Sequence, residues 1–575
     1  MSSDIDAITI GVIRSLLVSV AREMGITLRQ TAYSNIFNEG SDFSCGVFDH
    51  HGRLWAQGEF LPIHLGALQF AVREAIEEVG IPSFEEGDTV LLNDPYRGGT
   101  HLPDLTAITP IFFAGEIVAF AANRAHHADI GGTVAGSFYS KATENFQEGL
   151  RIPPIRLARK GKIDPDLMEM ILNNVRVPRE MRGDLEAQIS ANRTAATRTI
   201  ALCERYGVET VQGGAEEICN QSENRMRAII AGWPDGSWSA EDVLDNDGIN
   251  PEPIKVHVTA TVAGDSLTFD YSGSAGQVAG PVNSVRGMTA SATFLAVQAA
   301  ADPTIPTNDG AFRRINIIAP EGSLLNPRFP APCTGGNETS HRIVNVVQKA
   351  LAQLPTEPNV IAGDHGSSNN LLISSVDDRT REFKVFYSYP EGGWGALDEK
   401  DGESALFSIV GNCKNVPAEA LELNYPVRLL RYELRQDTGG PGRRRGGLGT
   451  RRDYEILADA ASLSFIADRC TVGANGLADG HQGGPGAYLV DRGDGPELAS
   501  PEFISKGTQI PLRKGDVVSQ CTAGGGGYGA PRERDRADVT RDLNLGYISA
   551  TAAAEIYGMS AKDAAHTAVE EQEAK

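Results

Sequence analysis

Two short windows concentrate side chains that can hold a cation or move a proton: His101 and Asp104 in Asn93-Asp94-Pro95-Tyr96-Arg97-Gly98-Gly99-Thr100-His101-Leu102-Pro103-Asp104, and His126, His127 and Asp129 in Asn123-Arg124-Ala125-His126-His127-Ala128-Asp129. Two imidazoles with a carboxylate suit Zn²⁺, Mn²⁺ or Fe²⁺, and an ion held with one open position polarises water or a substrate oxygen. The segment between the windows explains how they meet. Leu105 to Phe113 and Glu116 to Ala122 are largely apolar and flank Ala114-Gly115, the pattern of a hairpin whose two-residue turn pairs Phe113 with Glu116. Counting outward from that pair sets Asp104 opposite Ala125 and His101 opposite Ala128, so both windows lie at the open end of one hairpin.

Strand alternation lets only one of His126 and His127 face the ion. His126 is assigned to it, which leaves His127 and Asp129 for substrate contact and proton transfer. The polar loop Asn38-Glu39-Gly40-Ser41-Asp42 offers a further ligand, Asp42 first and Glu39 as the alternative. Any one of these histidines taken alone is more often a hydrogen-bonded loop residue; the clustering is what singles them out. His64, in apolar Pro62-Ile63-His64-Leu65-Gly66, reads on its own more often as a core residue than as a ligand. Asp364-His365 forms a base pair only where the backbone turns, and Cys333 has no identifiable base, so it reads as an inert buried thiol.

The elements that must carry these windows follow from hydrophobic periodicity. Ile5, Ile8, Val12, Leu16, Val20 and Met24 recur at helical spacing up to Gly25, which suits a helix C-terminus. Short apolar runs between Phe43 and Phe120 read as strands, with a helix from Ala67 to Val79 closed by Gly80. Asp164 to Trp233 is helix-rich, with a long helix after Pro178 that ends at Gly207. Ile254 to Val262 and Leu267 to Tyr271 alternate as two strands around Ala263-Gly264-Asp265. Ile343 to Leu354 is helical, strands dominate Phe383 to Tyr528, and Ser549 caps a helix from Ala550 to Tyr557.

The pattern predicts a multi-domain α+β chain of mixed strands and helices, with a helical insertion and a β-rich C-terminal half. Its expected divisions are a metal-site α/β region at 1–160, a helical subdomain at 161–235, a β-containing middle region at 236–380, a β-rich region at 381–530 and C-terminal helices at 531–575. A length of 575 residues requires several cores.

Composition narrows the function classes. A net charge of −23 repels a phosphate backbone, so nucleic acid is excluded as a partner and Arg443-Arg444-Arg445 reads as a solvated loop. Seven scattered cysteines without a CxxC pair, an acidic N-terminus and the lack of a long apolar run point to a reduced, cytoplasmic protein without membrane contact. The glycine clusters at 439–449 and 524–529 lack the GxxxxGK[ST] ending of a phosphate loop and read as turns at a core or subunit contact.

NDPYRGGTHLPDLT and NRAHHADIGG resemble segments of the hydantoinase B, oxoprolinase and acetone carboxylase α-subunit superfamily, and so do NEGSDFSCGVFD, PIHLGA, GGNETSHRIV, GRRRGGLG and GGGGYGAP. The likeness runs along almost the whole chain. It implies a divalent metal at Asp42, His101, Asp104 and His126, and a separate hydantoinase A-like subunit that binds ATP and phosphorylates the substrate in a hetero-oligomer. The implied activity is ATP-dependent hydrolysis of a cyclic amide: a hydantoin, oxoproline or other lactam. The family's carboxylase α-subunits are longer than this chain, which makes an ATP-dependent ketone carboxylase of the acetone or acetophenone type the second reading. A non-enzymatic scaffold with a closed structural metal is the third.

Overall fold

The Asp6 carboxylate caps α1 (Ala7–Thr31) by accepting from the Ile8 and Thr9 amides. The helix runs past Gly25, where a C-terminus was expected. A Cβ there would lie 1.9 Å from Cζ of Phe60, so that glycine serves ring packing inside the helix. The protein is described by a computed structural model covering residues 5–356 and 358–560.

After α2 (Asn35–Asn38) come β1 (Phe43–Phe48), β2 (Leu54–Gln57), α3 (Pro62–Val79), β3 (Thr89–Leu92), β4 (Asp104–Phe113), β5 (Glu116–His126), β6 (Ile155–Arg159) and β7 (Lys162–Ile163). These strands form one seven-stranded sheet in the order β2-β1-β5-β4-β3-β6-β7. The helix-rich segment supplies α4 (Pro165–Leu172), α5 (Pro178–Tyr206) and α6 (Val208–Ala231). Alternation gives the sheet two different faces. Ile108, Phe120 and Ala122 pack with Leu68, Ala71 and Val72 of α3, while Ile111, Ala119, Ala121 and Ala125 pack with Leu17 and Val20 of α1 and Ala187 and Ala191 of α5. Helix α5 also grips the strand backbones, since the Gln188 and Asn192 side-chain amides donate to the carbonyls of Leu105 and Ala107 at 2.9 and 3.0 Å.

A second sheet, in the order β11-β10-β9-β8, is built from β8 (Gly236–Leu244), β9 (Ile254–Ala263), β10 (Ser266–Asp270) and β11 (Ile315–Ile318). Between it and the first sheet lie α3, α7 (Arg286–Ala301) and α9 (Gly336–Leu351), with the short α8 (Asp309–Phe312) beside α6. The rest of the chain forms β12 (Asn370–Val376), β13 (Phe383–Ser388), α10 (Ala418–Asn424), β14 (Val427–Leu434), β15 (Thr450–Ile456), β16 (Ala460–Ile466), β17 (Ala487–Asp491), β18 (Pro496–Leu498), β19 (Lys506–Arg513) and β20 (Val517–Cys521). Two sheets result, β13-β12-β16-β19 and β14-β15-β20-β17-β18, which share one core through Leu371, Phe465, Tyr454 and Tyr488. The fold is therefore multi-domain α+β.

The glycine clusters are places where backbones touch. A Cβ on Gly446 would lie 2.0 Å from the Gly525 carbonyl oxygen, and one on Gly524 would lie 1.8 Å from that of Thr438. Arg445 departs from the solvated loop expected for its basic run. It is buried against Asp542 at 3.1 Å, and Asp542 also pairs with Arg534 at 2.7 Å. After α11 (Arg536–Asn544), the Ser549 hydroxyl caps α12 (Ala550–Glu555); residues 561–575 of the expected C-terminal helices lie outside the described residues.

One buried carboxylate fixes the approach to the site loop. Asp184 of α5 accepts from the Tyr33 and Ser34 amides at 2.7 and 3.1 Å, just before α2. Burial raises its pKa from 3.8 to about 6. A raised folded-state value means stability is full below pH 3.8 and is lost as pH rises towards 6, by about 3 kcal/mol at most. Asp184→Asn should remove this slope, so that urea unfolding at pH 4 and pH 6.5 gives a smaller difference than in the parent protein.

Candidate metal centre

The hairpin forms at Ala114-Gly115, both with positive φ (52° and 89°), and Phe113 pairs with Glu116. Two pairs further on the register shifts: Phe112 faces Ile117 but Ile111 faces Ala119, leaving Val118 as a one-residue bulge. Asp104 therefore lies opposite His126, a correction to the pairing with Ala125 that uniform counting gave. Ladder pairing stops there. The His127 amide donates to the Pro103 carbonyl, and His101 sits in the preceding turn, not opposite Ala128 in a strand.

Asp104 is the hub. Its Oδ1 is 2.9 Å from His101 Nε2 and 3.1 Å from His126 Nδ1; its Oδ2 accepts from Thr100 Oγ1 at 2.6 Å and lies 3.2 Å from His64 Nε2. All four partners are buried. His101 Nδ1 is 3.0 Å from the Thr334 carbonyl oxygen; donation there turns Nε2 towards the cluster, the kind of contact that orients a metal-binding imidazole. Although burial opposes it, the facing His101 and His64 hold the Asp104 carboxyl well below its usual range. Burial would also depress His101, but Asp104 outweighs it and raises that imidazole. Burial lowers His64 and takes His126 to about 4, so both stay neutral and able to ligate.

Asp42 lines the same cavity, delivered by a loop whose Asp42 carbonyl accepts the His126 amide at 3.1 Å. Burial and the nearby Asp104 push its carboxyl to about 8, and its Oδ1 has no hydrogen-bond partner among the described residues. A buried carboxylate without a partner is costly. A divalent cation is the group that answers this arrangement, and His101, Asp104 and His126 bring ligand atoms to within 4.8 Å of one another. The residues fit such an ion.

The cavity is small, about 40 Å³. Its lining combines the cluster, with His64 from the first turn of α3, and the polar Asn337 and Ser340 from the start of α9 and Ser368 before β12, beside the apolar Leu61, Ile63, Met288 and Val410. Tyr387 of β13 stacks on His126 with ring centroids 5.0 Å apart, and the neighbouring Tyr389 hydroxyl is buried without a partner among the described residues. Phe407, Gly411 and Cys413 close the remaining side. With Tyr389 they also border a larger outer cavity of about 420 Å³.

Several expected residues lie elsewhere. Alternation turns His127 to the α5 face, where Nε2 is 3.0 Å from Gln188 Oε1 and the ring packs edge-on to Phe37; it does not line the cavity. Asp129 is committed to loop structure, accepting from the Gly131, Gly136 and Arg176 amides and pairing with the Arg176 guanidinium at 3.0 Å. Glu39 caps α2 outside the cavity. Asp364 accepts from the Ile409 amide while His365 Nδ1 lies 3.3 Å from Asn369 Nδ2, so the two do not orient each other. Burial drives the Cys333 thiol far up, consistent with an inert cysteine. Tyr387, Tyr389, Asn337, Ser340 and Ser368 were not singled out from sequence; they come from distant elements, and only GGNETSHRIV, which holds Asn337 and Ser340, carried a signal.

An enclosed His–carboxylate cluster at the meeting of several sheets and helices defines the class: large α+β proteins with a candidate metal-binding triad in a buried cavity. The chain belongs to the hydantoinase B/oxoprolinase family, whose model matches residues 6–531. It is 38% identical over 548 residues to an uncharacterized protein of Methanocaldococcus jannaschii, covering 95% of this chain and 94% of that one. Caprolactamase subunit beta of Pseudomonas jessenii is 31% identical over 564 residues, with 96% of each chain covered. The crystal structure of the ATP-dependent caprolactamase from that organism superimposes with a TM-score of 0.89 at 30% identity, over 99% of this chain and 100% of that chain. Nucleotide-free acetone carboxylase shares the fold, with a TM-score of 0.85 at 19% identity over 99% of this chain and 84% of that chain.

The geometry separates the adjacent histidines. His126→Ala should abolish stoichiometric binding of a divalent ion, measured by elemental analysis after dialysis, whereas His127→Gln should retain the ion and lower stability by about 1–3 kcal/mol through its buried contact with Gln188. Equal ion loss in both variants would contradict the assignment.

Proposed function

We propose that this chain is the metal-binding subunit of an ATP-dependent cyclic amide hydrolase, acting on a hydantoin, oxoproline or another lactam together with a separate ATP-binding, hydantoinase A-like subunit. The observation that carries the reading is the buried Asp42, His101, Asp104 and His126 set in the lining of a cavity that Asn337, Ser340 and Ser368 also line. Family membership and the likeness to caprolactamase subunit beta support the amide chemistry and a multi-subunit enzyme. The sequence carries no GxxxxGK[ST] phosphate loop, so ATP is assigned to the partner, which would phosphorylate the amide oxygen and make its carbon more electrophilic.

Asp42, His101, Asp104 and His126 would hold the ion, Zn²⁺, Mn²⁺ or Fe²⁺ by donor type, with His64 on the second oxygen of Asp104. When bound, it supplies Lewis acidity and a lowered water pKa there. The protein's own residues do the rest. Thr100 and Thr334 fix Asp104 and His101 in place. The unpartnered Tyr389 hydroxyl is placed to donate to a substrate oxygen. A cavity of about 40 Å³ holds a few waters and no cyclic amide, so substrate enters from the outer cavity by displacing the Phe407–Cys413 segment, whose return excludes bulk water.

The test is reconstitution with a hydantoinase A-type subunit from the same organism, followed by assay of cyclic amides with ATP. Ring opening that requires ATP and the divalent ion, without bicarbonate, is expected. Product formation only with bicarbonate and a ketone substrate would establish the carboxylase reading instead, and activity retained after exchange for an inert ion would mark the metal as structural.

A further inference from the structure

The lining of the same cavity holds a second set of chemically competent groups. Ser368 lines the cavity, and its Oγ lies 3.0 Å from His341 Nε2. The other nitrogen of that ring, Nδ1, is 3.1 Å from Ser408 Oγ. His341 and Ser408 are fully buried, and Ser368 is nearly so. The result is a chain of hydroxyl, imidazole and hydroxyl that begins in the cavity and ends in the segment that closes it. Phe407 and Ile409, on either side of Ser408, both line the outer cavity.

The chain is held from behind. Glu338, in the first turn of α9, accepts from the Ser368 amide at 3.1 Å and from Asn370 Nδ2 at 2.8 Å. The Asp364 carboxylate accepts the Ile409 amide at 2.9 Å, fixing the Ser408 end. Elsewhere in the lining, His64, His101 and His126 each direct a ring nitrogen at Asp104. Breaking the C–N bond of an aliphatic amide expels a strongly basic nitrogen, which must gain a proton as it leaves.

We propose that Ser368 is the catalytic proton donor to the departing ring nitrogen, and that His341 and Ser408 are the positioning residues that resupply it. This rests on the amide hydrolase reading above. In the tetrahedral oxyanion formed by hydroxide addition to the phosphorylated amide carbon, the C–N bond breaks, its electron pair remains on nitrogen and the oxyanion becomes the carbonyl of an acyl phosphate, which a second water hydrolyses to carboxylate and inorganic phosphate. Nitrogen takes the Ser368 hydroxyl proton. His341 Nε2–H returns a proton to Ser368 Oγ, and His341 Nδ1 takes the proton of Ser408. The imidazole ends as its other tautomer without acquiring charge, and Ser408 takes a proton from solvent of the outer cavity in the same step, so that no alkoxide is left in the chain. Burial holds His341 well below the usual histidine range, which suits a ring that passes protons while staying neutral.

The experiment uses the complex reconstituted with the ATP-binding subunit, assayed on an aliphatic lactam that the parent complex opens. Ser368→Ala should lower kcat by about 10²–10³-fold with KM, ion content and melting temperature unchanged, and Ser368→Thr should recover most of the loss. Ser408→Ala, outside the cavity wall, should lower kcat about tenfold. Because His341 acts only through Ser368, the Ser368→Ala/His341→Gln double variant should be no slower than Ser368→Ala. A Ser368→Ala complex within threefold of the parent, or losses that multiply in the double variant, would overturn the proposal while leaving the amide hydrolase reading intact. A loaded parent complex that opens no cyclic amide would overturn that reading and this proposal together.

Discussion

The Asp104 carboxylate is the charge on which the site depends. It is fully buried, yet three imidazoles and a hydroxyl surround its two oxygens within 3.2 Å, so ionisation is sustained where burial alone would neutralise it. Each partner arrives from a different stretch of chain: His64 from the first turn of α3, His101 from the turn before β4, and His126 from the end of β5. Asp104 is the one group that all three rings share. The second carboxylate, Asp42, is pushed the opposite way, to about 8, by burial and the like charge of Asp104, and its Oδ1 has no hydrogen-bond partner among the described residues. Two carboxylates with opposed environments in one cavity are what a cation would reconcile.

The sheet supplies the geometry. The bulge at Val118 shifts the hairpin register by one, bringing Asp104 across from His126 on the face that also presents Arg124 towards Thr106. The other face carries Asn123 and His127 into the amides of α5, so one strand end serves both the cluster and the scaffold. Gly98, with φ of 83° and its α-carbon against Ala71, lets the ligand-bearing turn lie flat on α3. Asn337 and Ser340 come from α9, Ser368 from just before β12 and the closing segment from the chain between β13 and β14, so the cavity exists only when these distant elements have assembled.

How much of this was legible in sequence follows from how local each feature is. The hairpin, its turn and the gathering of His101, Asp104 and His126 depend on contiguous periodicity and were readable. The one-residue bulge was not, since nothing in Ile117-Val118-Ala119 distinguishes a bulged strand from a regular one. Gly25 looked like a helix end because the partner that requires it, Phe60, is remote in sequence. His127 and Asp129 drew attention as polar groups beside a ligand window, and only the positions of α5 and Arg176 reveal that both are spent on structure. His64 looked like a core residue from its apolar neighbours, because the contact that defines it is with Asp104, forty residues on. The wall of Ser368, Asn337 and the tyrosines is a product of tertiary assembly.

The central claim is that these side chains surround one divalent ion. Anomalous diffraction from crystals of the purified protein, collected on both sides of the absorption edge of its native metal, tests it directly. The account predicts a single strong peak about 2.0–2.3 Å from ligand atoms of His101, Asp104 and His126, with Asp42 alongside. A cavity without a peak at full native metal content, or a peak held by other residues, would contradict it.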